Sequence, residues 1–169
     1  MNGNISCLSD HLIGRLLLRQ MWQIHDASGV SLGRSARSLL LEAVLDIYPI
    51  DNCHEEFTQD MLICEAKKRE ARKIFKPPQL LFFNDLKMLD TYSLMYLILL
   101  ELYEWYKKDA EENDWPLVEE ISIIEAVMPM FYPEEDVSSF LSISQDQLLL
   151  ESKDRYYERM KKHFSYERS

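Results

Sequence analysis

The chain has 169 residues, 47% of them hydrophobic and 28% charged, with four Gly, six Pro and a net charge of −10. A chain of that length buries roughly two-thirds of its unfolded surface, enough for a core that needs no disulfide or metal, and so few Gly and Pro argue against an all-β or disordered chain. Cys7, Cys53 and Cys64 are odd in number and follow an opening without the basic-then-apolar order of a secretory leader, which points to reduced thiols in a cytoplasmic, reducing setting.

The first helix is expected to open at Ser9 or Asp10, either of which can cap free backbone N–H groups, and to run to about His25. Leu12, Ile13, Leu16, Leu17, Met21 and Ile24 recur at the helical period, leaving Arg15, Arg19 and Gln23 towards water. Gly29 and Gly33 break the pattern, and a second helix over 36–48 carries Leu40, Leu41, Val44, Leu45 and Tyr48 before Pro49 ends it. A longer helix over 53–75 has Phe57, Met61, Ile63, Cys64, Ala71 and Phe75 as its buried candidates, and Pro77 with Pro78 stops it. Segment 79–89 is short and apolar and fits a short strand or a short helix, the helix being preferred.

Segment 92–108 is the most hydrophobic element, with almost no polar face from Leu94 to Tyr106. A helix apolar all round must be surrounded by others, so it belongs at the centre of a bundle. Its longest apolar run, 94–100, is far shorter than the roughly 20 residues that cross a bilayer. An acidic turn over 109–114 follows, then a helix from Trp115 and Pro116 to Val127. Pro129 and Pro133 bracket a connector, 134–141 reads as a short helix, and Ser144 with Gln147 has the spacing of a capping box for a last helix reaching about His163. Residues 1–8 and 164–169 are expected to fray. The fold class is thus all-α: one domain over 1–169, a compact bundle of roughly six to eight helices around 92–108.

Charge is distributed unevenly. Between Glu101 and Asp136 stand twelve carboxylates against Lys107 and Lys108 alone, so this stretch accounts for the whole excess of −10. One basic cluster (Lys67, Lys68, Arg69, Arg72, Lys73 and Lys76) opposes it, either as an internal mate of the acids or as a separate contact surface.

Chemistry-bearing patterns are absent. Cys53, His54, Glu55 and Glu56 stand together, but neighbouring helical residues point about 100° apart and no paired Cys/His spacing or His-Glu-x-x-His completes a metal site. Cys7 and His11, four apart, lack two further ligands nearby. No Glu precedes a His by three, as di-iron bundles require. Gly29 and Gly33 form no phosphate loop, and no nucleophile elbow occurs. No cofactor, metal or catalytic residue is assigned, and the chain is read as a non-enzyme.

Segment 136–160 resembles the helix-turn-helix of sigma-factor-type DNA readers, with Val137, Phe140, Leu141, Ile143 and Leu148 at its apolar positions and Ser144 as the cap of its second helix. The resemblance implies a nucleic-acid-binding regulator in which Arg155, Arg159, Lys161 and Lys162 meet phosphate. The would-be reading helix instead opens with Asp146 and Glu151, and Glu134, Glu135 and Asp136 would face the DNA backbone, which attracts cations. The leading expectation is therefore a non-catalytic interaction domain, of the adaptor, chaperone, immunity-protein or inhibitor kind, that binds a basic protein partner. Its contact residues are Glu104, Asp109, Glu111, Glu112, Asp114, Glu119, Glu120, Glu134 and Glu135, with Tyr132 as an exposed aromatic anchor. Tyr156, Tyr157 and Tyr166 are further candidate anchors, whereas Tyr92, Tyr96, Tyr103 and Tyr106 sit at core spacing.

Overall fold

The computed structural model describes residues 5–27, 36–47, 57–73, 85–113, 118–133 and 136–167. These form six α-helices, α1 (Asp10–Ala27), α2 (Ala36–Ile47), α3 (Gln59–Arg72), α4 (Thr91–Asn113), α5 (Val118–Val127) and α6 (Gln145–Glu167), with short 3-10 turns at Ile5–Cys7, Leu86–Met88, Met128–Phe131 and Ser138–Phe140 and no strand among the described residues. Helix α4 packs most extensively on α2 and also meets α5 and α6, while α1 meets α2, α3 and α5. The buried side chains make one continuous all-α core that runs from Ile13 to Leu148. No helix among the described residues is long and apolar enough to cross a membrane.

Helix α1 starts where Ser9 Oγ accepts from Leu12 N–H at 3.1 Å. Its buried face is wider than the periodicity suggests, because Ile13 and Leu16 to Leu18 are all covered and Arg15, expected in water, is only 9% exposed. Arg15 is tolerated there because its Nη2 donates to the Leu45 carbonyl at the end of α2, where helical carbonyls lack partners. Burial, with Arg19 and Arg159 close, lowers its pKa to about 10, which leaves it charged near neutrality. Gly14 marks a close approach: a Cβ there would stand 2.5 Å from Cε2 of the buried Phe131 ring.

Helix α3 begins later than the expected Cys53. Phe57 and Thr58 lie outside it, and the Thr58 hydroxyl caps it by accepting from Met61 N–H. Phe57 and Leu62, both buried, occupy the two positions of a hydrophobic staple. The expected burial of Met61, Cys64 and Ala71 is corrected, since all three are exposed. The packing stripe is instead Leu62, Ala66, Arg69 and Lys73, with polar groups completing it. Arg69 binds Asp10 and Glu65 and also donates to the Ile5 and Ser6 carbonyls, while Lys73 reaches Asp10 and the Pro129 carbonyl. Those bonds also hold the 3-10 turn Ile5–Cys7 in place, so 5–8 is tied down rather than frayed, with Ile5 and Leu8 against the core.

Helix α4 runs through the acids expected to form a turn, ending at Asn113 instead of Lys108. Lys107 with Glu111 and Lys108 with Glu112 are opposite charges one turn apart, and Asp109 is drawn into an ion pair with Arg37 of α2 at 2.8 Å, which together carry the helix on. Helix α6 opens on the expected capping box: Gln147 N–H donates to Ser144 Oγ while Gln147 Oε1 accepts from Ser144 N–H. It continues through Glu167, beyond the expected end at His163. In the expected helix 134–141, residues 138–140 form a single 3-10 turn; Glu134 and Glu135 lie outside the described residues, as does most of 79–89, of which Leu86–Met88 is a 3-10 turn.

Candidate partner-binding surface

Helix α4 and the chain from α5 into the turn Met128–Phe131 pass each other in opposite directions, and a row of tyrosines lies along the line of contact. Tyr103 Oη donates to Glu125 Oε1 at 3.2 Å, Tyr96 meets the edge of Tyr132 at 5.7 Å, and Tyr92 lies 6.4 Å from Phe131. Tyr106 is the one fully buried member of the α4 set. Burial pushes its hydroxyl up to about 12, against the pull of the Arg37 guanidinium that sits 4.9 Å from its ring centre. Tyr92, Tyr96 and Tyr103, expected in the core, are only partly covered, and Tyr92 and Tyr96 lie beside Tyr132, which is 45% exposed.

Carboxylates border this row unequally. Glu104, Glu111 and Glu112 on α4 and Glu119 and Glu125 on α5 are exposed, while Glu101 and Glu120 are half-buried. Asp109 is spent on Arg37, which corrects its expected role as a contact residue: an acid bound to a buried guanidinium inside its own fold is not offered to a partner. Asp114, Glu134 and Glu135 fall outside the described residues. Asp136 accepts from Ser138 N–H at 3.0 Å, and that bond together with the Ser138 hydroxyl holds its pKa below the usual carboxylate range.

Two lysines temper the field. Lys107 lies over the Tyr103 ring and Lys108 over the Trp105 ring, at 5.2 and 5.3 Å from the ring centres. A groove of about 440 Å³ collects Glu101, Glu104 and Glu111 with both lysines, floored by Trp105, whose Nε1 donates to Gln145 of α6. The exposed face of α4 is thus acidic on balance, with Glu101, Glu104, Glu111 and Glu112 against Lys107 and Lys108.

Among the described residues, the basic cluster forms no ion pair with these acids, and Lys76 lies outside the described residues. Arg69 and Lys73 pair with Asp10 and Glu65, whereas Lys67, Lys68 and Arg72 are exposed on α3. On the helix-turn-helix reading, residues 136–144 hold one 3-10 turn where a first helix would be needed. Arg155 and Arg159 are turned inward: Arg155 binds Glu151, Thr91 Oγ1 and the Leu86 and Leu89 carbonyls, and Arg159 donates to the Ile47 carbonyl that ends α2. Both are thereby removed from the proposed phosphate contacts.

Cys7 and Cys64 are exposed free thiols, Cys64 against its expected burial, and no group of three or more His, Cys, Asp or Glu among the described residues is placed to hold a metal ion. His11 is stacked 3.6 Å from the Tyr92 ring and 5.4 Å from Phe131. Burial lowers its pKa, with Lys73 acting in the same direction and Asp10 and Asp90 opposing. The sequence drew attention to Tyr132 and to the α4 acids but missed Tyr96, Tyr103 and Asp90, whose relevance lies in contacts between distant segments. No family model matches the chain, and no curated protein or solved structure is significantly similar to it.

Proposed function

We propose that this chain is a non-catalytic helical interaction domain whose contact surface is the strip of tyrosines and carboxylates along α4 and α5. Its partner is a protein with a basic surface. The observation that carries this reading is the meeting of half-buried Tyr96 with exposed Tyr132 and of Tyr103 with Glu125, with the exposed carboxylates of Glu104 and Glu111 on the same helix as Tyr96 and Tyr103. Large rigid rings supply apolar contact at low entropic cost, as at the centres of protein interfaces, and unpaired carboxylates around them steer a cationic partner and set its register. Roles as an adaptor, chaperone, immunity protein or inhibitor all use such a surface. The free thiols of Cys7 and Cys64 suit a reducing cytoplasmic compartment.

The test is affinity as a function of salt and charge, using the partner captured from the native host. With Glu104, Glu111 and Glu112 changed to Lys together, the association rate is expected to drop by about tenfold or more at low salt and to lose most of its salt dependence. An affinity indifferent to both ionic strength and charge reversal would remove the reading.

A further inference from the structure

We propose that the pocket where α1, the start of α4 and the turn after α5 meet receives a cationic side chain of the partner, an arginine guanidinium or a lysine ammonium. This deepens the reading above and rests on it, since the pocket shares Tyr132 with the strip and would anchor one end of the basic partner. The cavity holds about 260 Å³ and is lined by the rings of His11, Tyr92, Phe131 and Tyr132, with the exposed carboxylate of Asp90 beside them. That volume accommodates one long side chain and little more.

The chemistry of the walls selects the sign of the charge. Aromatic faces carry negative potential and attract ammonium and guanidinium groups, most strongly where water is partly excluded. Asp90 supplies a carboxylate that forms no hydrogen bond or ion pair with another described residue. The start of α4 contributes only about half a unit of positive charge, so the carboxylate prevails. Lys73, the nearest competing cation acting on His11, is already held by Asp10 and the Pro129 carbonyl. His11 is stacked against the Tyr92 and Phe131 rings and burial has reduced its proton affinity, so near neutral pH it holds those rings in place without bringing a repelling charge. A neutral apolar occupant would strip water from Asp90 without replacing it.

Titration of isotope-labelled protein by NMR separates this site from the strip, because it needs no protein partner. N-acetyl-arginine methylamide and its lysine counterpart are the cationic probes, N-acetyl-norleucine methylamide the neutral control and tetramethylammonium the free organic cation. Saturable shifts of the Tyr92, Phe131 and Tyr132 ring signals are expected with the first two, and these should weaken about threefold or more in Asp90→Asn. Tyr132→Leu, at an exposed position, should weaken them without loss of fold. Equal response to the norleucine probe, or none to either amino-acid cation, would overturn the proposal. Tighter binding of tetramethylammonium than of either amino-acid probe would reassign the pocket to small free cations and overturn its role as a side-chain anchor. Partner binding that keeps its sensitivity to Glu104, Glu111, Glu112 and Tyr132→Leu while ignoring Asp90→Asn would sink the pocket and leave the strip standing.

Discussion

Substituting Gly14 by Ala sets two effects of opposite sign against each other. Inside a helix the change normally stabilises by about 1 kcal/mol, because Gly loses more conformational freedom on folding. At this position the new methyl carbon would stand 2.5 Å from Cε2 and 3.1 Å from Cζ of Phe131, a ring that is 1% exposed and stacked on His11 one helical turn earlier. The ring cannot withdraw without displacing that stack, so the overpacking falls at the upper end of its usual range, about 2–3 kcal/mol. A net loss of about 1–2 kcal/mol is therefore expected, a fall in Tm of roughly 2–8 °C for a chain of this size. Thermal and urea denaturation of Gly14→Ala, Phe131→Leu and the double variant would measure it. The smaller Leu frees the space, so in that background Gly14→Ala should become neutral or stabilising, giving a favourable coupling of about 1–3 kcal/mol. A Gly14→Ala protein at least as stable as the parent, or a strictly additive cycle, would refute the close packing of α1 on the turn at Phe131.

Arg37 and Asp109 form an ion pair with side chains only 10% and 22% exposed. Arg37→Ala should thus lose about 3 kcal/mol or more in urea unfolding, because it strands a partly buried carboxylate, whereas Lys67→Ala on the exposed face of α3 should stay within about 0.5 kcal/mol. Arg155 satisfies carbonyls at Leu86 and Leu89 and the Thr91 hydroxyl besides Glu151, a planar fork that a lysine cannot reproduce. Arg155→Lys should accordingly destabilise by about 1–3 kcal/mol, as followed by Tm, with duplex-DNA affinity in a low-salt gel shift unmoved. His11 binds its proton more weakly folded than unfolded, so the unfolded chain takes up more protons as pH falls below its ordinary value of 6.5. Its contribution is full above that value and is lost on descent towards the folded pKa, and the fall in Tm between pH 7.5 and 5.5 should be smaller in His11→Phe.

Much of the scaffold was legible because apolar periodicity and local caps act within a few residues of chain. Ser9, the Ser144–Gln147 box and the apolar centre of α4 belong to that kind. The register of α3 was not legible, since two of its four packing positions are Arg69 and Lys73, and hydrophobicity alone cannot see a stripe completed by ion pairs and carbonyl contacts. Arg15 was misplaced for the same reason: its acceptor is a carbonyl of α2, thirty residues away. The run of acids after Lys108 reads as a turn, yet Arg37 reaches the first of them, Asp109, from another helix. Of the contact surface, Tyr132 and the exposed glutamates of α4 could be picked out by residue type and local polarity. The pairing of Tyr103 with Glu125, and the ring cluster around His11, arise only when α5 folds back along α4.

Photo-crosslinking locates the contact without any prior choice of partner. With benzoyl-phenylalanine placed singly at positions 132, 103 and 104 on the strip, and at 61 and 157 as exposed controls away from it, the native host extract supplies the candidates. The strip positions are expected to trap the same basic protein, with yields that fall as salt is raised, while positions 61 and 157 trap it weakly or not at all. Crosslinks to that protein from 61 or 157 with none from the strip would contradict the assignment of the binding surface to α4 and α5.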